Sequence, residues 1–349
     1  MTVSIIIAVK TWQNNLEECI NKCRELDFSD FEILILPDTT PKGLFPSSLN
    51  QSQNKGTVPI KIIPTGSVSP AYKRDLALSY AKGEILALLD DDAYPHQGWL
   101  KCALENFKDQ DIAAVGGPAI TPQGDNFKQR ASGLVYSSSL ASGKFTYRYL
   151  PKRRRYVDDY PSCNFLVRKS IMQELGGFKT SFWPGEDTKL CLDITHKLGK
   201  KIIYDPRVLV CHHRRPLFLP HLKQVASYAL HRGYFVKKFP ETSLRISYFL
   251  PSILLIGLFL GAVMSLFLIP IKIMFFLWIF LYIFLVLISS ISRELRLIPY
   301  VSVGIILTHF IYGIYFLKGL LSKRLSEDRQ GLSPQGTVPQ QQGTVPKTI

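Results

Sequence analysis

Over the first two-thirds of the chain, short unbroken apolar runs alternate with amphipathic stretches. Residues 3–9 and 31–36 read as buried strands, with a helix over 14–26 between them that puts Leu16, Ile20 and Cys23 on one face. A third short strand falls at 60–63. Ser69-Pro70 then opens a helix, with Ser as N-cap and Pro in the first turn; the helix runs to about Lys82 and Gly83 closes it. Five apolar residues, 85–89, form the next strand and lead into Asp90-Asp91-Asp92. This alternation predicts a parallel sheet flanked by helices. Further on, 97–107 reads as helix, 112–115 and 162–167 as strands, and 170–175 as a helical turn ended by Gly176-Gly177. Residues 187–198 read as a helix with Leu190, Ile194 and Leu198 inward. Segments 201–204 and 208–211 read as extended, and 219–236 as helix. Residues 124–155 are basic and aromatic without a period, and read as a long functional loop.

From Tyr248 onward the pattern changes. Residues 248–269 and 273–291 are each long and apolar enough to span a bilayer. So are 298–317, although Pro299, Gly304, His309 and Gly313 weaken that segment. Lys237, Lys238, Arg245, Arg293 and Arg296 put the preceding part on the cytoplasmic side. Three spans would then leave Lys318, Lys323, Arg324 and Arg329 outside, so two spans or three remain open. The tail is rich in Gln, Gly and Pro and repeats Gly-Thr-Val-Pro at 336 and 343, with a further copy at 56, which reads as disorder without chemistry. The expected divisions are 1–240, a membrane part over 241–322 with two or three helices, and a disordered tail over 323–349. Residues 1–10 carry no basic stretch ahead of their apolar run, which argues against a signal peptide.

Charge narrows the partners. The chain has 42 basic and 27 acidic residues, a net of +15. Basic clusters suit nucleic acid, anionic lipid or a diphosphate, and the apolar C-terminal third favours the last two. The six cysteines show neither a CxxC pair nor zinc spacing, as expected in a reducing compartment.

Three acids at the end of a buried strand repel one another, and a cation relieves that cost. Asp90 and Asp92 are two apart and point the same way on an extended backbone, which suits joint binding of Mg²⁺ or Mn²⁺ with phosphate completing the shell. Glu186 and Asp187 open a helix after Pro184-Gly185. They either complement its dipole or place a base near a substrate hydroxyl. His212-His213-Arg214-Arg215 offers an imidazole ligand and cations for a diphosphate, or simply a basic rim. Lys73-Arg74-Asp75 read alone is a solvated helix face. Asp38, after the second strand, holds a nucleotide or makes an Asx-turn.

Taken in order, these pieces resemble the family 2 inverting glycosyltransferases of the GT-A fold. The matching pieces are the strand at 3–9, residues 31–36 followed by Asp38, Tyr72-Lys73-Arg74-Asp75, Gly83-Glu84-Ile85 through Asp92, Cys163 to Val167 with Gly176-Gly177-Phe178, Gly185-Glu186-Asp187 and His212-His213. The resemblance covers roughly residues 1–240. It implies an α/β fold with a mixed, mostly parallel sheet, joined here to C-terminal transmembrane helices. It further implies that Asp38 holds the base, that Arg74 lies near the nucleotide or its phosphates, and that Asp90, Asp91 and Asp92 form the donor-side acids with Asp92 closest to a Mg²⁺ or Mn²⁺. Asp187 of the Glu186-Asp187 pair would be the general base and His212 a further metal contact. The implied partners are a nucleotide-sugar, with UDP-sugar the first expectation, a glycan or lipid-linked acceptor, and the membrane. Nucleic acid is not among them. The implied setting is the inner cell membrane, multi-pass, with the catalytic part cytoplasmic and a role in cell-surface polysaccharide or glycolipid assembly. The processive-synthase pattern Gln-x-x-Arg-Trp is absent, with only Gln224 and Arg232 as a loose echo. The alternatives are a non-catalytic membrane scaffold with a nucleotide-sugar-binding fold, an anionic-lipid or nucleic-acid binder, and a metal-dependent phosphohydrolase.

Overall fold

Strand β1 (Val3–Ala8) is buried on both faces along nearly its whole length, the environment its apolar run demands. Around it the computed structural model, which describes residues 1–40 and 58–325, builds an eight-stranded sheet. Its other strands are β2 (Phe31–Leu36), β3 (Ile60–Ile62), β4 (Ile85–Asp90), β6 (Ile112–Gly116), β8 (Arg155–Val157), β9 (Asn164–Arg168) and β10 (Lys201–Tyr204), in the order β3-β2-β1-β4-β9-β6-β10-β8. The Gly-Thr-Val-Pro repeats of the tail, and the first half of the copy at 56, lie outside the described residues.

The sheet is mixed and mostly parallel, as the family resemblance implied, while the alternation of elements alone predicted parallel strands throughout. β9 runs antiparallel between β4 and β6, and the edge strand β8 runs antiparallel to β10. β9 is buried between two apolar strands, and a run of buried residues carries no sign of its direction; β8 has three residues, two of them exposed, too few for any pattern. The remaining pairs are parallel.

A second sheet is small but decisive. β5 (Ala93–Pro95) pairs antiparallel with β11 (Val210–His212), which pairs parallel with β7 (Ala119–Ile120). The register sets Ala93 opposite His212 and so carries a residue from late in the chain to the end of β4.

The flanking helices are α1 (Asn14–Arg24), α2 (Pro70–Ala77), α3 (Trp99–Asn106), α6 (Lys169–Leu175) and α7 (Glu186–Leu192). Ser69 caps α2 through the Tyr72 amide as expected, but the helix stops at Ala77 and continues only as turns toward Gly83. A π-helical turn, Asp193–Lys197, extends α7, and Leu190, Ile194 and the partly buried Leu198 pack on one core cluster as expected. The expected loop over 124–155 is mostly helical. It contains α4 (Phe127–Ser137), opened by a capping box between Asn126 and Gln129, then α5 (Ser139–Ser142) and a 3₁₀ segment, Gly143–Arg148. α4 buries Ala131, Ser132, Gly133 and Val135, too small a set to register as an apolar stripe.

The C-terminal third contains α8 (Leu219–Lys238), α9 (Pro240–Ser243), α10 (Ile246–Met264), α11 (Ile269–Ser289) and α12 (Leu297–Leu321). By length and composition, α10, α11 and α12 can each cross a membrane. Their surroundings differ: 11% of the apolar window of α10 and 6% of that of α11 is buried, against 44% for α12. α12 lies along α8 so closely that a Cβ at Gly233 would overlap the Phe316 carbonyl, and one at Gly319 the Leu230 carbonyl. His309 on α12 bonds the Leu140 carbonyl, and Thr308 bonds His221.

Candidate functional site

The site lies where β4 ends. Asp90 is the last residue of the strand, and Asp91 and Asp92 make the turn into β5. The β5–β11 register brings His212 to Asp92, with Nε2 3.0 Å from Oδ1, and the His213 amide donates to the Asp92 carbonyl at 2.9 Å. Asp90, Asp92 and His212 each offer one ligand atom within 4.8 Å of the others. Two oxygens and one imidazole nitrogen at that spacing fit Mg²⁺ or Mn²⁺.

The charges around these atoms are set by position. Burial pushes Asp92 upward, but His212 and Arg214 outweigh it and hold its carboxyl below the usual range. Burial also raises Asp90; Arg74 opposes the rise and Asp92 adds to it. Arg214 Nη1 stands 3.0 Å from His212 Nδ1, and a guanidinium only donates. Nδ1 therefore accepts, and the ring proton faces Asp92 from Nε2. A cation among the three ligand atoms would take that proton's place.

Asp91 points elsewhere. It accepts a 2.5 Å hydrogen bond from Gln13 Nε2, and burial followed by the charges of Asp92 and Asp90 pushes it to about 7. His213 is also turned away, held by Asp125 at 2.5 Å and Glu18 at 2.9 Å.

Arg74 joins two acidic corners. It is 3% exposed, far from the solvated face its sequence context suggested. Its Nη2 lies 2.9 Å from Asp90 and its Nη1 3.2 Å from Glu186. Its Nε is buried without a partner among the described residues, a donor free for an anionic ligand. Its neighbour Lys73 is equally buried. Lys73 Nζ donates to the Val9 carbonyl at 2.6 Å and the Leu36 carbonyl at 3.2 Å, and pairs with Asp38. Asp38 is thus held at the end of β2 by a lysine that sequence reasoning left in solvent.

Glu186 and Asp187 open α7 after Gly185, whose φ of 118° is open to glycine and strained for other residues. Glu186 is buried, paired with Arg74 and bonded by the Gly185 amide at 3.1 Å. Burial, then the charge of Asp187, raises its carboxyl to about 7 against the pull of Arg74. Asp187 accepts only from the Thr188 amide, at 2.8 Å, and has no ion-pair partner among the described residues. Burial, then Asp159, pushes its pKa up.

Behind Asp187 lies a network the sequence gave no sign of. Asp159 sits 2.9 Å from Arg232 and 3.4 Å from Arg148, and Thr188 donates to it at 3.1 Å. Burial opposes its ionisation, but the two arginines win and hold it at about 2. Its residues come from three separate segments with no spacing in common, so only the fold assembles them.

Residues 4–176 match the family described as glycosyl transferase family 2. A pre-mycofactocin glycosyltransferase of Mycobacterium tuberculosis is 32% identical over 150 residues, covering 43% of this chain and 31% of that protein. This chain thus spans about a third of that relative's length. A Methanococcus voltae enzyme is 25% identical over 246 residues, covering 68% of this chain and 74% of its own. Its name is dolichyl N-acetyl-α-D-glucosaminyl phosphate 3-β-D-2,3-diacetamido-2,3-dideoxy-β-D-glucuronosyltransferase. Among solved structures, a mannosyltransferase from Pyrobaculum calidifontis, in complex with GDP-mannose and Mn²⁺, superposes with a TM-score of 0.62 at 16% identity, over 92% of this chain and 88% of its own. That likeness shows the fold, a GT-A transferase fold with a mixed sheet.

Proposed function

We propose that this chain, which carries a glycosyl transferase family 2 domain, moves one sugar from a nucleotide-diphosphate donor to a hydroxyl of a glycan or lipid-linked acceptor, with inversion at the anomeric carbon. The observation that carries the reading is the contrast at the start of α7: Glu186 is tied to Arg74, while Asp187 beside it keeps a carboxylate free of any ion pair among the described residues.

In the proposed reaction Asp187 takes the proton of the acceptor hydroxyl. The acceptor oxygen bonds to the anomeric carbon as the bond from that carbon to the diphosphate oxygen breaks, and the nucleoside diphosphate leaves with the electron pair. Attack from the opposite face inverts the configuration and needs no covalent enzyme intermediate. Asp90, Asp92 and His212 would hold a Mg²⁺ or Mn²⁺, which when bound supplies positive charge to the leaving diphosphate. Arg74, with its unpartnered Nε, would add a hydrogen bond to the same group. Asp38 would hold the nucleotide base, with Lys73 fixing its carboxylate, and Asp91 would support the turn through Gln13. UDP is the nucleotide we favour. The Methanococcus relative's name supports a lipid-linked acceptor.

The test is binding of a panel of nucleotide-sugars to the detergent-solubilised protein, with and without Mn²⁺. We expect one donor to bind in a metal-dependent way and binding to fall about 100-fold in Asp92→Ala. A folded protein that binds none of them would overturn the transferase reading.

We further propose that the GT-A part, over about 1–240, faces the cytoplasm and that α10 and α11 form the membrane hairpin. Both ends of the hairpin reach the catalytic body: Arg245 pairs with Asp158 before α10, and Glu294 with Arg130 after α11. α12 then follows α8, and Lys237 bonds the Ser322 carbonyl at its far end. This arrangement keeps Lys318, Lys323 and Arg324 on the side of the catalytic body and resolves the charge conflict of a three-span reading. A cysteine placed at Lys323 should react with an impermeant maleimide from the same side as one at Lys82; labelling from opposite sides would restore three spans.

A further inference from the structure

One face of α8 is built unlike the rest of that helix. Gln224, Tyr228 and Arg232 are spaced four apart and so share a stripe. Both ends of the stripe are anchored to walls of the site. Gln224 accepts from Tyr136 at 3.1 Å, and Arg232 donates to Thr188, next to Asp187, at 3.3 Å. Tyr136 stacks on Tyr149 at 5.2 Å, and Arg214 lies over the Tyr149 ring at 5.1 Å while holding His212. The stripe therefore runs from the neighbours of the metal ligands to the neighbour of the free base.

Tyr228 stands in the middle and is the exception. Its hydroxyl is fixed by Gln224 Nε2 at 3.2 Å, yet the residue is 48% exposed. It also lies within electrostatic reach of Tyr136, Asp187, Tyr149 and Asp90. An aromatic face held in one orientation and open to solvent beside a base is a platform for a ring with an apolar face and polar edges.

We infer that Tyr228, positioned by Gln224, is the subsite for the acceptor, and that the acceptor is a saccharide already attached to its lipid rather than a bare lipid phosphate. The inference rests on the transferase reading. Two observations choose between the acceptor classes. A phosphate monoester is largely ionised at neutral pH and needs no base, whereas Asp187 is left free to serve one. Arg232 and Arg148, whose charges act on Asp187, are already drawn to the buried Asp159, so neither is left to receive a phosphate.

The experiment uses the full chain in lipid nanodiscs with its donor and Mn²⁺. Two acceptor probes are compared, polyprenyl phosphate and a polyprenyl-phosphate-linked monosaccharide, and acceptor kinetics are measured for the wild type, Tyr228→Phe and Tyr228→Ala. We expect transfer to the glycosylated lipid and none to the bare phosphate. Tyr228→Ala should raise the acceptor KM about tenfold or more with a smaller change in kcat, and Tyr228→Phe should restore most of the affinity. Donor binding, followed separately by calorimetry, should stay within about twofold in both variants. Transfer to bare polyprenyl phosphate, an acceptor KM that Tyr228→Ala leaves unmoved, or no transfer to glycosylated lipid by a protein that binds its donor would each overturn the subsite. Failure of the wild type to bind any donor would instead overturn the transferase reading.

Discussion

Two acidic corners of this molecule contain much the same residues and are wired differently. At the end of β4, Asp90 and Asp92 each face a donor: the Arg74 guanidinium at 2.9 Å for the first, the His212 ring N–H at 3.0 Å for the second. At the start of α7, Glu186 shares Arg74 while Asp187 has, among the described residues, only a backbone amide. The first corner holds positive charge in place and suits a cation and the diphosphate it attracts. The second leaves one half-buried carboxylate with an affinity for protons. Arg74 reaches both, so the corners are set a guanidinium's width apart. A transferase needs such a division, with charge neutralised where the leaving group departs and a proton accepted where the nucleophile arrives.

The sharpest way to break the comparison is to exchange the freedom of the two α7 acids. Asp187→Asn should lower the transfer rate about 10³-fold, within the usual worth of a positioned base. Donor binding should survive, because the β4 corner is untouched. Glu186→Gln keeps an oxygen for Arg74 and should cost about tenfold or less. Rates of sugar transfer at saturating donor, set beside donor calorimetry, distinguish the two. Equal losses in the two variants would mean that the pair acts as one unit and that Asp187 has no separate role.

Much of this arrangement was legible in the sequence, and the reason is burial. β1, β2 and β4 sit in the middle of the sheet, so their sequences are unbroken apolar runs, and the acids after β4 mark its end. Strand geometry alone set Asp90 and Asp92 on one side of that end; Asp91 was grouped with them, and its turn toward Gln13 emerges only from the fold. What stayed hidden falls into two kinds. β7 and β5 have two and three residues, too few for any period, yet β5 with β11 sets His212 against Asp92. Lys73 and Arg74 show their charge in the sequence but not their burial, so a helix face that holds the site together resembled a solvated one. Asp159 is invisible for the same reason, since its partners Arg148 and Arg232 are brought to it only by the fold.

Arg74 offers a smaller but more general effect. Arg74→Met removes the shared cation and leaves Asp90 and Glu186 without it. Breaking a buried pair in this way costs about 3 kcal/mol of stability. The cost should lie at the low end because Glu186, already at about 7, can take up a proton instead. Thermal unfolding at pH 6 and pH 8 tests this. A folded-state carboxyl raised above its unfolded value loses stability as pH rises through that interval, so the variant should lose more at pH 8. A melting temperature indifferent to both mutation and pH would separate the two corners.

The smallest effect is a shift in pH dependence, and it isolates Asp187. A general base works ionised, so activity rises with pH through its folded pKa and is lost below it. Burial, then Asp159, raises that pKa, while Arg232 and Arg148 lower it. The acid limb of kcat should therefore lie above the ordinary aspartate value of 3.8. Asp159→Asn removes a raising charge and leaves both arginines acting on Asp187 unopposed, so the limb should move to lower pH. Asp159 is itself held at about 2 and stays ionised throughout this range, so its own titration adds nothing to the profile. The substitution also removes the stability Asp159 contributes above its unfolded pKa, and the profile is therefore taken below the melting temperature of the variant. A limb that stays in place in folded Asp159→Asn would detach it from Asp187 and assign it to the β4 corner instead.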